Sequence, residues 1–266
     1  MQWFFQLTIK SVQNILELKI NDQTIDTVNS TTFLGVKIEN SLSWSTHINY
    51  ISNKISKSIG ALKKGASILN HETMIKLYSS LIDPYIQYCN IIWGNAPNVH
   101  LNRILLLQKR AIRIAEGIGY RDHTGTHFIE NNILRIKDAF KLSCSIFLYK
   151  LNKTLYPAPI IFHFYDAIFT HVGRETGLRS AFRNEVRVQR CRTALRMNTF
   201  TICSAKLYNE FILPYDAINS STSLSSFKKL IKCLIISEYS WYDIGLLLLR
   251  KKERKKERKK ERKKER

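Results

Sequence analysis

The sequence predicts a mainly α protein with a small N-terminal antiparallel β element, an α+β arrangement. Two observations carry this. Apolar and polar residues alternate in short runs between residues 15 and 38, the period of half-buried strands. From residue 47 the spacing changes to threes and fours, the period of amphipathic helices, and it recurs in five stretches. With 266 residues, 44% of them hydrophobic, the chain can bury a core of one or two domains.

Each element follows from its residues. In "ILELKI", Leu16, Leu18 and Ile20 share one face while Glu17 and Lys19 take the other. "NDQ" supplies a turn, "TIDTV" the return strand, and "TTFLGVKI" reads as a third strand in which Gly35 marks a bulge or a close backbone approach. Ile48, Ile51, Ile55, Ile59, Leu62, Ala66 and Leu69 then form one apolar helical stripe, with Lys54, Lys57, Lys63 and Lys64 off it. Asn70 is an N-cap for a second helix through Met74, Leu77, Tyr78 and Leu81, which Pro84 should end near Ile82. "GNAPN" is a loop. A third helix buries Leu101, Ile104, Leu105, Gln108, Ala111, Ile112 and Ala115, and turns Arg103, Lys109, Arg110 and Arg113 outward. "GIGYRDHTGT" ends it, and a fourth helix runs over 138–152. Residues 160–200 mix aromatics with arginines and show no clean period. The last helix follows the cap-rich "SSTSLSS" and carries Phe227, Leu230, Ile231, Leu234 and Ile235 on one side. Residues 251–266 are "KKER" four times over.

The formal charge is +21, and residues 250–266 supply only +9 of it, so the excess runs through the whole chain. A polyanion is the natural partner. Five well-separated cysteines with no C-x-x-C fit core thiols in a reducing compartment better than a metal site. "HTGTH" holds His123 and His127 at helical ligand spacing, but its glycine-flanked context reads as a loop without a third ligand. There is no G-x-S-x-G, no Walker loop and no H-E-x-x-H. "MQWFFQLTIK" lacks the pattern of a signal peptide, and "CLIISEYSWYDIGLLLL" is broken by Glu238 and Asp243 short of a membrane span. The expectation is an intracellular protein without cofactor or metal, whose basic tail has the composition of a nuclear address.

In order along the chain, "FLGVKIENSLSW", "HINYISNKI", "LYSSLIDPYIQYCNIIWG", "LLLQKRAIRI", "YRDHT", "LSCSIFLYK", "FTICSAKLYNEFILP" and "STSLSSFKKLIK" resemble the C-terminal part of the reverse transcriptase of jockey-like non-LTR retrotransposons. The resemblance covers residues 15–237. It implies a primer-grip hairpin at Phe33, Leu34 and Gly35, with Trp44 packing the strand on the helices; core aromatics are the simpler reading of Trp44 and Trp93. It also implies a thumb-like helical bundle whose Lys54, Lys57, Lys63, Lys64, Arg103, Lys109, Arg110 and Arg113 meet phosphates. The partner implied is RNA or an RNA–DNA duplex, with a palm-containing polymerase in trans as a second. Domains divide accordingly: 1–46 as the end of the palm and grip, 47–156 as thumb, 157–240 as an Arg-rich, partly helical region, and 241–266 as a disordered or helical basic tail.

Polymerase chemistry in that family needs aspartates holding two divalent metals, two of them adjacent. The eight aspartates here (Asp22, Asp26, Asp83, Asp122, Asp138, Asp166, Asp216, Asp243) include no adjacent pair. No catalysis is expected, and the fingers and most of the palm would lie before residue 1. Where relatives carry Gly-Pro-Lys-Leu-Trp-Asn, this chain has Ser204, Ala205, Lys206, Leu207, Tyr208 and Asn209. The alternative reading is a non-enzymatic helical module that binds nucleic acid or protein in its own right. The tail needs no selected function: DNA repeating AAGA reads AAG AAA GAA AGA, which encodes Lys-Lys-Glu-Arg, and a translated microsatellite gives its perfect period. As a helix it would set like charges four residues apart.

Overall fold

Hydrophobic spacing builds a helical array here, and one short hairpin docks on its edge. The computed structural model describes residues 19–20, 23–24, 28–170 and 185–239. The arginines at 174, 179 and 183, most of the first strand and the basic tail lie outside the described residues. Strands β1 (Lys19–Ile20) and β2 (Gln23–Thr24) pair antiparallel, Lys19 opposite Thr24.

The "TTFLGVKI" run is two strands and not one. β3 (Ser30–Phe33) and β4 (Val36–Glu39) form an antiparallel hairpin with Phe33 opposite Val36 and Ser30 opposite Glu39. Leu34 and Gly35 make the two-residue turn, with φ of 46° and 77°. Tight hairpins with positive φ at both central residues match the right-handed twist of their strands, which corrects the expectation of a bulge at Gly35. A Cβ on Gly35 would stand 3.6 Å from the Tyr88 ring, so backbone conformation, not space, is what favours glycine.

Helix α1 (Ser45–Gly65) begins under the hairpin. Its N-cap residue, Trp44, sits at φ 63° and gives no side-chain cap. The carboxylate of Glu39 serves instead, accepting the Thr46 N–H and the Ser43 and Ser45 hydroxyls. Ile48, Ile51, Ile55, Ile59 and Leu62 are buried as the stripe predicts, but α1 stops at Gly65, leaving Ala66 and Leu69 exposed. Asn70 caps α2 (His71–Leu81) by accepting the Thr73 N–H at 2.9 Å. Pro84 lies in the first turn of α3 (Asp83–Gln87), and α4 (Asn90–Trp93) completes the turnaround.

Helix α5 (Asn98–Glu116) ends in a left-handed Gly117, with the Ile118 N–H bonded to the Arg113 carbonyl, a Schellman stop. Arg103 meets Asn49 near the starts of α5 and α1, and Glu116, the last residue of α5, meets His71 six residues beyond the end of α1, so the two helices run side by side in one direction. The "HTGTH" segment is not a plain loop: α6 (Gly125–Glu130) forms there because Phe128 is fully buried and pins a short helix to the core.

Fully buried Gln108 joins three helices. Its Nε2 donates to the Tyr78 hydroxyl and the Leu134 carbonyl, each at 3.1 Å, and its Oε1 accepts the Ile136 N–H that opens α7 (Ile136–Asn152). Near that end of α7, Arg135 lies 4.1 Å from the Tyr239 ring centroid, and the Tyr239 hydroxyl donates to Asp138. Burial first, and then the Asp138 charge and hydrogen bond, push the Tyr239 phenol well above its usual range.

A helix that periodicity misses, α8 (Ala158–Phe169), follows Pro157. Its buried side ends in Ile168 and Phe169, but Phe162 on the exposed side is apolar too and masks the stripe in the sequence. Phe147 packs its ring against Tyr156, Phe164 and Phe200 at 4.8–5.5 Å. After α9 (Ala194–Met197) and α10 (Phe200–Leu207), a π-turn at Tyr208–Ile212 carries Asn209, whose amide bonds both backbone groups of Val186 at 2.8–2.9 Å. Helix α11 (Ala217–Ser220) leads to α12 (224–239), where the Ser223 hydroxyl accepts the Ser226 N–H. Tyr149 and Phe227 stack at 4.5 Å, and the buried side chains from Ile48 to Tyr239 form one cluster. The fold is mainly α with a small antiparallel β element. Among the described residues, no helix is long and apolar enough to cross a membrane.

Candidate nucleic-acid interface

The hairpin is held at both ends. At its tip, the Tyr88 hydroxyl donates to the Leu34 carbonyl at 2.6 Å. One pair back from the turn, the Lys37 N–H donates to His47 Nδ1 at 3.3 Å, and at the base Glu39 accepts the Thr46 N–H. Trp93 joins the first two anchors: its Nε1 donates to the Tyr88 carbonyl at 2.9 Å, and its ring lies edge-on to His47 at 5.5 Å. Trp93 is fully buried, the core aromatic that the simpler reading gives, and Trp44 is half-buried at the start of α1. Burial first, then the Lys37 charge, holds the His47 imidazole below its ordinary value. A neutral imidazole is what an acceptor at Nδ1 requires.

With those anchors, Phe33 and Leu34 remain 54% and 72% exposed at the tip. An apolar hairpin end held rigid and open to solvent can lie against a sugar–phosphate chain or an apolar protein face. Glu39, at the other end of β4, stays ionised: burial alone raises its carboxyl, but the hydrogen bonds from Thr46, Ser43 and Ser45 outweigh this and hold it low.

The basic residues fall into separate groups. On α1, Tyr50, Lys54, Lys57 and Lys64 follow one another at helical spacing. Lys57 and Lys64 are exposed, and Lys54 is half-buried beside the Tyr50 ring. Lys37 of β4 joins this group, its Nζ 5.0 Å from the same ring centroid. Lys63 is exposed on another face of α1, nine residues beyond Lys54. On α5, Arg103 and Arg110 are exposed, seven residues apart, and Arg103 donates to the Asn49 side chain. Lys109 is half-buried. Arg113 turns away to the loop, where its Nε donates to the Asp122 carbonyl at 3.0 Å.

Sequence reasoning missed Lys37, Tyr50 and His47. The four-residue step from Tyr50 to Lys54 was a usable signal for the pair. Nothing in the sequence around Lys37 tells that β4 crosses the first turns of α1. A second polar cluster gathers on Glu116, whose carboxylate takes His71 Nε2 at 2.9 Å and the Asn131 amide, with His127 Nδ1 lying 3.3 Å away. Among the described residues, no three His, Cys, Asp or Glu side chains are arranged to hold a metal ion. Comparison with family models, curated proteins and solved structures gives no match.

Proposed function

We propose that this chain is a non-catalytic nucleic-acid-binding unit, the primer-grip and thumb portion of a retrotransposon RNA-directed DNA polymerase. One observation carries the reading: the Phe33-Leu34-Gly35 stretch is the tip of a hairpin docked against a lysine-bearing helix. Grip and thumb have to stand in that relation to follow one strand past a duplex. Further support comes from a charge of +21 spread through the chain, and from a fold in which apolar stripes pack inward while Lys57, Lys63, Lys64, Arg103 and Arg110 stay in solvent. The aspartates carry no adjacent pair for two-metal chemistry, so the contribution is binding and not turnover.

The unit contacts phosphates along an A-form helix. The test is a salt titration of binding to RNA duplex, RNA–DNA hybrid, DNA duplex and single strands of one sequence. A thumb-like surface prefers the two A-form ligands at every salt concentration. Equal affinity for all four, falling along one common salt slope, would reduce the reading to bulk charge.

A second reading, a protein-binding module, draws on the exposed Phe33 and Leu34 side chains beside Tyr88, which is itself 53% exposed. A palm-containing polymerase in trans is the partner that surface would suit. Retention of the chain by such a palm, lost on Phe33→Ser, would favour this over nucleic acid at the tip.

A further inference from the structure

We propose that the corner between β4 and α1 is a phosphate clamp, in which Lys37 and Lys54 close on one phosphodiester of a bound nucleic-acid strand while the Tyr50 ring holds them in place. This rests on the nucleic-acid reading above and gives it a defined contact. The Lys37 and Lys54 ammonium groups lie 5.0 and 5.5 Å from the same Tyr50 ring centroid, although one comes from a strand and the other from a helix. Two like charges drawn to one ring repel each other, and the ring's quadrupole offsets only part of that. What normally relieves such a pair is a carboxylate. Among the described residues none pairs with Lys37, Lys54 or Lys57. The nearest acid along β4, Glu39, is turned to the start of α1 and taken up by Ser43, Ser45 and Thr46.

The clamp is preorganised on the strand side. The Lys37 backbone is fixed by its bond to His47, and β4 is anchored at its far end through Glu39. Lys54 stands one helical turn beyond Tyr50, a spacing that lets its ammonium group reach the ring. Both lysines are half-buried, which removes part of their hydration and strengthens any anion contact they make. Lys57, exposed one turn further along α1, continues the positive track for the next phosphate of the same strand. A mobile surface lysine gives up rotamer freedom on binding, and here the ring has already taken much of it.

The experiment uses the full chain, so that the basic tail contributes equally to every variant, and a short single-stranded RNA as probe. Affinity is measured across a salt series for the unaltered protein, Lys37→Gln, Lys54→Gln, the double variant, Tyr50→Phe, Tyr50→Leu and, as a phosphate contact outside the clamp, Lys63→Gln. Two lysines on one phosphate count once, so the double variant should flatten the log–log salt slope by about 0.7, the value for one contact on a single strand, and not by twice that. Tyr50→Phe keeps the ring and should leave affinity unchanged. Tyr50→Leu should weaken binding several-fold with both lysines present. A double variant with an unchanged slope, while Lys63→Gln lowers it, overturns the clamp and leaves the nucleic-acid reading standing. A flattening of twice the single-contact value overturns the shared phosphate. No binding of RNA, single-stranded or duplex, by the unaltered chain at low salt overturns both. Thermal melts of the variants identify any loss that comes from unfolding, and the lysine and Tyr50→Phe variants keep the test decisive if Tyr50→Leu proves unstable.

Discussion

Replacing Gln108 by leucine should destabilise the protein by about 3–5 kcal/mol, although the two side chains are close in size. The figure comes from what the substitution leaves behind. Gln108 is fully buried and serves three groups: the Tyr78 hydroxyl, the Leu134 carbonyl and the Ile136 N–H. Each buried polar group left without a partner costs about 1–3 kcal/mol, while the methyl groups gained return a fraction of that. The Leu134 carbonyl is only partly buried and can recover water, which favours the lower half of the summed range. Against a total stability of about 5–15 kcal/mol for a native domain, this is a large share. Urea denaturation followed by circular dichroism would show the midpoint falling by about 1–3 M at unchanged slope. Tyr78→Phe removes one of the three bonds and should cost about 1 kcal/mol. Because the two residues share a hydrogen bond, the double variant should lose less than the sum of the single losses. A cost under about 1 kcal/mol for Gln108→Leu, or strict additivity, would refute the view that this amide ties α2, α5 and α7 together.

Leu34→Asn should raise amide protection at Phe33 and Val36, because Asn tolerates the left-handed φ of 46° that leucine holds under strain; Gly35→Ala should lower it, at a cost of about 1 kcal/mol. The imidazole of His47 sits below its ordinary 6.5, so the unfolded chain takes up that proton first and stability declines as pH falls below 6.5. His47→Gln should flatten the stability profile between about pH 7 and 5, measured by denaturant midpoints. Glu39 is shifted the other way: its contribution is present above its ordinary 4.5 and is lost as pH falls through its lowered folded value. Glu39→Gln should therefore cost about 0.5–1 kcal/mol near neutral pH and nothing measurable once the wild-type carboxyl is protonated.

Much of the helical array was legible because amphipathic stripes are local. Ile48 to Leu62 on α1 and, apart from the half-buried Leu105, Leu101 to Ala115 on α5 are buried as their spacing indicates, and Asn70 caps α2 because a side-chain acceptor next to free N–H groups is a local event. Where the local signal was absent, the reading failed. In helix α8 the exposed side carries the apolar Phe162 and masks the buried stripe, and the α6 helix depends on Phe128 finding the core. The residue pattern by itself does not place the hairpin turn, because "FLG" supports a continuous strand and a turn about equally well in sequence. What decides for the turn is tertiary: Tyr88 bonds the Leu34 carbonyl from 54 residues away.

The same division runs through the candidate interface. Sequence alone determined that the chain is strongly basic, that its lysines and arginines stand off the apolar stripes, and that no paired aspartates accompany them. Those are properties of composition and of helical spacing, which survive any arrangement of the helices. Tertiary structure decided which cations share a surface. It turned Arg113 to a loop carbonyl, set Arg103 against Asn49, and brought Lys37 across from β4 to the ring of Tyr50. Electrostatic contacts depend on distances of a few ångströms between residues far apart in the chain, and only the docking of the hairpin on α1 sets those distances.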